Sequence, residues 1–381
     1  MRVTGYAYPW DVLEEPGFLD RATELGVREI AVAASYHAVR AATPWSAERT
    51  AVLAEHAALY RPVREKAWSG KRLRPAAATW TRSADSAGDA VRTLSGAGIA
   101  VAPWLVLTHN SLLGRQNPDL TVRNCYGESY PWALCPSAPE VREFAVTLAA
   151  ECVRELDVRT VIVESCGPMG LTHQYMHEKT DGVFAPAAAR LLSVCCCPAC
   201  TADWPRAGLP IEATIALLRK EIRRLLDTGD LGLATDELPA EVSEALLNVR
   251  HRAVDELRAG VLGALDEVRV VLHGSPDPWA TGALPGLTPN AANEVDAVVV
   301  PCWQPGPAAL DAVRAARNLA KSTVDIGAYV TAVAAAPVPD LPGCVRELAA
   351  AGASELHLYH LGLAGPARWP DLRQAVAAAP A

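Results

Sequence analysis

Eight runs along the chain are apolar or β-branched on both faces, and most of them end in a polar or aromatic residue just before a loop. They cover residues 3–8, 29–35, 99–107, 160–164, 268–273, 297–302, 325–333 and 355–360. Continuous apolar runs of this length suit parallel strands covered on both sides. Between them the apolar residues take helical spacing, at 18–25, 84–94, 141–156, 308–319, 341–350 and 367–377. Strand and helix in alternation predict an α/β fold, a parallel sheet with helices outside it. Eight such strands favour closure into a (β/α)8 TIM barrel, with the almost wholly helical stretch at about 186–263 as an insertion after strand 4. The rival is an open doubly wound sheet. It lacks support because TGYAYPWD, at the end of the first strand, contains no glycine-rich phosphate turn. A ninth run, at 76–80, reads as part of a long insertion between the second and third strands.

Composition narrows the class of protein. The chain has 381 residues, half of them hydrophobic and 20% charged, which excludes a disordered chain. Its 29 prolines and 26 glycines are spread along it without forming a linker, so residues 1–381 read as a single barrel domain. With 35 basic against 43 acidic side chains the formal charge is -8, which argues against nucleic acid and anionic membranes as partners. The densest basic stretch, 61–74, reads as a solvated helix and loop. No apolar run is long enough for a bilayer, and the first residues are acidic where a secretion signal needs an apolar core. The expectation is a soluble, cytoplasmic protein, with its homo-oligomeric state left open.

Barrel enzymes work at the C-terminal ends of their strands. There the sequence places Tyr6, Tyr8 and Trp10; Tyr36, His37 and Arg40; Trp104, His109 and Asn110; Glu164; His273 and Asp277; Trp303; Tyr329; and Tyr359 and His360. Ten tryptophans against three phenylalanines add flat apolar faces that carry a donor, which suits sugar rings. Glu164 is the sharpest single residue. VIVES puts its carboxyl at the end of a strand that should be buried, where desolvation raises the pKa of an acid and fits it for proton donation. The loop HQYMHEKTDG adds His173, His177, Glu178, Lys179 and Asp181 as a lid or wall.

VCCCPAC sets Cys195, Cys197 and Cys200 as C-x-C-x-x-C, three thiolates able to share one tetrahedral zinc. A fourth ligand must come from elsewhere, with Cys135, Cys125, Cys166 and His173 as donors. An all-thiolate set leaves no open position, so the zinc is expected to be structural.

The stretch from WLVLTHNSLLGRQNPDL through VIVESCGPMGLTHQYMHEKT to CCCPAC, together with SYHAVR, resembles a group of bacterial barrel proteins described as glycoside-hydrolase-like. The glutamate ending the fourth strand followed by C-x-C-x-x-C is also similar to the β-galactosidases of glycoside hydrolase family 42. That resemblance implies Glu164 as acid/base, and Cys195, Cys197 and Cys200 as zinc ligands with Cys135 as the earlier cysteine. The chain departs from the family pattern at Val163, where an asparagine is expected. It departs again at the seventh strand, which offers Tyr329 and Thr331 in place of a nucleophilic glutamate.

The expected activity is hydrolysis of a saccharide or glycoconjugate, normally the work of two carboxyl groups. Glu164 is the proton donor, and Glu178 or Asp277 is the assistant, with Asp181 a weaker candidate. Tyr36, His37, Arg40, Trp104, His109, Asn110, His177, Trp303, Tyr329 and His360 are the expected contacts to a small-molecule or oligosaccharide ligand. Two other readings remain: a carbohydrate-binding barrel that has lost its nucleophile, and a metal-dependent hydrolase with His37, His109 and His273 around an ion.

Overall fold

The computed structural model describes residues 1–172, 179–180, 182–334 and 338–380. Eight parallel strands close a barrel: β1 (Arg2–Ala7), β2 (Glu29–Tyr36), β3 (Ala100–Val106), β4 (Thr160–Glu164), β5 (Arg269–His273), β6 (Ala297–Pro301), β7 (Asp325–Thr331) and β8 (Glu355–Tyr359). Each pairs with its neighbours in chain order, and β1 pairs with both β2 and β8, which closes the ring. This is the (β/α)8 barrel that the alternating pattern predicts. The run at 76–80 leaves only the two-residue strand Ala76–Ala77, which reaches the barrel through Ala58–Leu59 at the end of β2, outside the ring.

The helical excursion follows β4 as Pro186–Leu192, Pro198–Asp203, Ile211–Asp227 and Ala240–Ala264. It packs on the hairpin Thr121–Arg123 with Ser129–Leu134 that follows β3, and together they form a second apolar core beside that of the barrel. Leu218, Ile222, Leu225 and Leu246 of the long helices meet Val122, Tyr130 and Trp204 there. The amphipathic spacing of Ile211–Asp227 thus has a definite partner.

Inside the barrel the inward positions are unusual. Aliphatic layers normally fill this space. Here Tyr6, Trp104, His273, Tyr329 and His357 crowd together, with Tyr6 edge-on to Trp104 at 4.9 Å between centroids and 5.0 Å from Tyr329. Gly327 makes room for this. A Cβ there would come within 2.8 Å of the His357 ring and of Val299 Cγ2.

The basic stretch 61–74 departs from the solvated reading. Arg61 is only 4% exposed; its Nε donates to Asp85 at 2.6 Å, and its two terminal nitrogens donate to the carbonyls of Cys152 and Arg154 at 3.1 and 3.0 Å. A guanidinium beside the last carbonyls of helix Pro139–Val153 meets both their orphan acceptors and the negative end of the helix. Arg64 pairs with Glu151, Lys71 with Glu143 and Arg72 with Asp119, so the stretch clamps the β2–β3 insertion to the barrel wall. Replacing Arg61 with Met strands two carbonyls and removes one partner of Asp85, which keeps Arg92 and the Gly88 amide. Urea denaturation of Arg61→Met should therefore show a loss of about 2–3 kcal/mol.

Candidate functional site

At the C-terminal mouth of the barrel a cleft of about 570 Å³ opens between Tyr36, His37, Trp104, Glu164, Thr172, Trp303, Tyr329, Tyr359 and the segment Ala280–Leu284. Glu164 closes its floor at 3% exposure. Trp104 on the adjacent strand donates its indole N–H to Glu164 Oε2 at 2.9 Å, and His273 Nδ1 lies 3.3 Å from the same oxygen. Burial lowers the pKa of His273 against the opposing pull of Glu164, so the imidazole is neutral at physiological pH.

The residue after Glu164 turns the chain sharply. Ser165 has a φ of 53°, a left-handed conformation that costs a non-glycine residue about 1 kcal/mol. The turn is held on both sides: Ser165 N donates to Ala283 O at 2.9 Å, and the Thr108 hydroxyl donates to the Ser165 and Gly167 carbonyls at 2.8 Å each. The strain is spent where the β4 exit becomes cleft wall, so the carboxyl and that wall are fixed together.

Aromatic rings make the opposite wall. Trp303, 39% exposed, packs at 4.9 Å on Tyr359 and 5.7 Å on Tyr329. Tyr36 stacks on His37 at 4.2 Å, and His37 in turn on His109 at 4.4 Å. Burial, with Glu164 among the nearby negative charges, raises the phenols of Tyr36 and Tyr329 well above their ordinary value, so both stay neutral donors.

Of the residues expected from sequence, Tyr36, His37, Trp104, Glu164, Trp303 and Tyr329 meet in this cleft. Others fall elsewhere, for identifiable reasons. Arg40 is exposed on the hairpin Val39–Ala42 with Ala51–Ala54, where it stands opposite Leu53. Asn110 caps helix Ser111–Gln116, its side chain accepting from Leu113 N at 3.0 Å. His109 is buried behind His37 and lines a separate small pocket with Ser35 and Leu148. His360 is fully buried against Tyr8, 4.4 Å between centroids, with Nδ1 3.8 Å from Asp11 Oδ2. Asp277 is exposed and accepts from its own Trp279 amide at 3.0 Å, outside the cleft. His173, His177, Glu178 and Asp181 lie outside the described residues. Tyr359, Thr172, Ser275 and the 280–284 segment are cleft residues that the list of expected contacts missed. Period-two alternation carried a signal for Tyr359, since it shares a strand face with His357 and Glu355 while His360 takes the other.

The cysteines converge. Cys135 Sγ stands 3.5, 3.7 and 3.6 Å from those of Cys200, Cys195 and Cys197, and all four lie within 4.8 Å of one another. Tetrahedral zinc with Zn–S of about 2.3 Å requires sulfur atoms about 3.8 Å apart. The set fits. It is also tied to its surroundings, since Arg123 N donates to Cys195 Sγ at 3.5 Å and Cys200 Sγ donates to Ser137 Oγ at 3.1 Å. Cys125 and Cys166 are buried elsewhere. Among the described residues, this is the one group of three or more His, Cys, Asp or Glu placed to surround a metal ion, so His37, His109 and His273 form no such set. No described helix is long and apolar enough to cross a membrane.

A comparison with protein-family models found no match. A comparison with curated proteins found none either. Solved structures do match in fold. α-L-Fucosidase isoenzyme 2 from Paenibacillus thiaminolyticus superposes with a TM-score of 0.57 at 12% identity, over 99% of this chain and 49% of that one. The catalytic domain of β-amylase from Paenibacillus polymyxa gives 0.57 at 12%, over 100% and 99%. A catalytic mutant of a family 42 β-galactosidase from G. stearothermophilus gives 0.55 at 9%, over 99% and 56%. The chain thus spans about half the length of the fucosidase and the galactosidase, and nearly all of the β-amylase domain. At these identities the likeness is one of fold, that of TIM-barrel glycoside hydrolases.

The buried histidine makes a checkable statement about pH. Burial lowers His360 to about 3, against about 6.5 in an unfolded chain. Between those values the unfolded chain binds a proton that the folded chain refuses, so stability is full above pH 6.5 and falls as pH drops toward 3. The slope is about 1.4 kcal/mol per pH unit from this group alone. Denaturation of His360→Leu alongside the parent, at intervals from pH 7 to 4, should show the parent steeper by that amount.

Proposed function

We propose that the cleft is a saccharide-processing site in which Glu164 exchanges a proton with the glycosidic oxygen. The observation that carries this reading is a buried carboxyl, that of Glu164, on the floor of an aromatic-walled cleft at the mouth of a (β/α)8 barrel. Trp303, Tyr359 and Tyr329 offer rings for the apolar face of a sugar, while neutral phenols and His37 offer hydrogen bonds to its hydroxyls. The indole of Trp104 fixes the carboxyl, so the proton is delivered along one direction. Hydrolysis also calls for a group that activates water or attacks carbon, and Glu178, a few residues past Thr172 of the cleft wall, is the carboxyl we assign to it. Asp277 is withdrawn from that role because its side chain caps a turn outside the cleft.

One observation favours a second reading, a barrel that holds a saccharide without cleaving it. Tyr329 stands at the end of β7, where the family 42 resemblance implies a nucleophilic carboxylate, and burial keeps its phenol protonated. We further assign structural zinc to Cys135, Cys195, Cys197 and Cys200. It would cross-link the β3 hairpin to the excursion and would take no part in the reaction.

Against a panel of nitrophenyl glycosides, Glu164→Gln should lower kcat/KM by about 10²–10⁴ while calorimetry shows the sugar still bound. Binding without turnover by the parent protein would select the second reading, and neither binding nor turnover would overturn both. Metal analysis should find one zinc per chain. Cys197→Ser should lose the ion together with several kcal/mol of stability.

A further inference from the structure

A continuous line of buried polar groups runs through the barrel from mouth to floor. His273 Nδ1, which has no hydrogen-bond partner, lies 3.3 Å from Glu164 Oε2. On its other side His273 Nε2 meets the Tyr6 hydroxyl at 2.8 Å, and the same hydroxyl meets His357 Nδ1 at 3.0 Å. His357 Nε2 ends the line 3.3 Å from Glu355 Oε2. All five residues are 3% exposed or less. Four strands supply them: β4, β5, β1 and β8. At the floor Arg269 donates to Glu355 Oε1 at 2.9 Å and Arg2 stands 3.6 Å away, while Glu29 takes a hydrogen bond from Thr4 at 3.1 Å.

Counting hydrogens limits what this line can do. The Tyr6 hydroxyl has one proton between two imidazole nitrogens, so it donates to one ring and accepts from the other. If Glu355 is the carboxylate, His357 carries its proton on Nε2 and accepts from Tyr6 on Nδ1. Tyr6 then accepts from His273 Nε2, and His273 Nδ1 accepts from a protonated Glu164. Reversing every bond gives the other complete arrangement, in which Glu164 is the carboxylate, both imidazoles carry the proton on Nδ1, and Glu355 is the acid.

We propose that Glu164, His273, Tyr6, His357 and Glu355 form a proton relay, in which one proton is held at either end and both imidazoles change tautomer together. The step balances. The Glu164 O–H bond breaks as His273 Nδ1–H forms, His273 Nε2–H breaks as a Tyr6 O–H forms, the former Tyr6 O–H breaks as His357 Nδ1–H forms, and His357 Nε2–H breaks as Glu355 O–H forms. Neither end state leaves a charge on the three middle groups, which suits their burial. Arg269 and Arg2 favour the carboxylate at the floor. Gly327 admits the His357 ring to the barrel interior, as any Cβ there would overlap it. The inference rests on the reading of Glu164 as the proton-exchanging group and deepens it, because it joins that carboxyl to a second one at the floor with which it shares a proton without water in the cleft. Tyr6, His273, His357 and Glu355 are positioning residues in this scheme.

The test is nitrogen NMR of the histidine rings in the full chain, without substrate. In Glu355→Gln the arginines claim the amide oxygen, so the amide NH₂ faces His357 Nε2 and should set both His357 and His273 in the Nδ1–H tautomer. Adding Glu164→Ala removes the carboxylate that would itself hold His273 Nδ1–H, so His273 should keep that tautomer only through Tyr6, and adding Tyr6→Phe as well should release it and leave His357 as it was. A His273 whose tautomer in the Glu355→Gln, Glu164→Ala chain differs from that of His357, or is unmoved by Tyr6→Phe there, would overturn the relay. If the triple variant does not fold, agreement or disagreement of the two tautomers in the double variant alone decides. The readout needs no activity, so a protein inert toward glycosides can still show coupled rings.

Discussion

The interior of an eight-stranded barrel must be filled by the side chains its strands aim inward, and in this chain those side chains are polar. A buried hydroxyl, imidazole or carboxyl costs about 1–3 kcal/mol if left unpaired, so each one admitted requires a partner from another strand. Thr4 with Glu29, Tyr6 with His273 and His357, Trp104 with Glu164, and Glu355 with Arg269 are those partners. The consequence is a set of fixed directions. A leucine core would tolerate small rotations at every position, whereas a hydrogen-bonded one holds the Glu164 carboxyl and the rings around it in a single arrangement.

That rigidity extends outward through the β4 exit. Ser165 is pinned to Ala283, and the Gly170 carbonyl accepts from Trp132 at 2.9 Å. Leu171 N donates to Ser193 Oγ at 3.0 Å, and a Cβ on Gly170 would fall within 2.5 Å of that same oxygen. Trp132 belongs to the β3 hairpin and Ser193 stands two residues before Cys195. The segment that leaves the floor of the cleft is therefore stitched to the second core, the one containing the four cysteines. A metal there would act on the cleft mechanically, by holding the hairpin and the excursion in register on either side of this segment.

The strands were legible because a parallel strand buried on both faces has no alternative reading in so apolar a run, and their ends fall within a residue or two of the pattern. Glu164 was legible for the same reason, as a carboxyl ending such a run. What local sequence did not carry is the face a residue takes after the strand ends. Tyr359 and His360 are adjacent, yet one enters the cleft and the other the core. Asn110 reads as a ligand to sugar until the helix start it caps is recognised, three residues before the amide it binds. Arg61 looks like one charge in a basic run, because its acceptors, the carbonyls of Cys152 and Arg154, lie some ninety residues away. Glu355 and His357 were missed on the same ground: their partners Arg269, Tyr6 and Arg2 come from remote strands.

The two carboxyls at the ends of the polar line differ in a way that gives it a direction. Burial disfavours the charge on Glu355, but the hydrogen bond from His357 and the charges of His357, Arg269 and Arg2 outweigh that and hold its carboxyl below the usual range. The described environment of Glu164 contains an indole and a neutral imidazole, and the cations are gathered at the opposite end of the barrel. The floor therefore already holds its carboxylate, and a proton arriving there has to displace the hold of Arg269 on it. The floor arginines set the energy needed to draw a proton inward along the line, which couples them to a cleft that they do not touch.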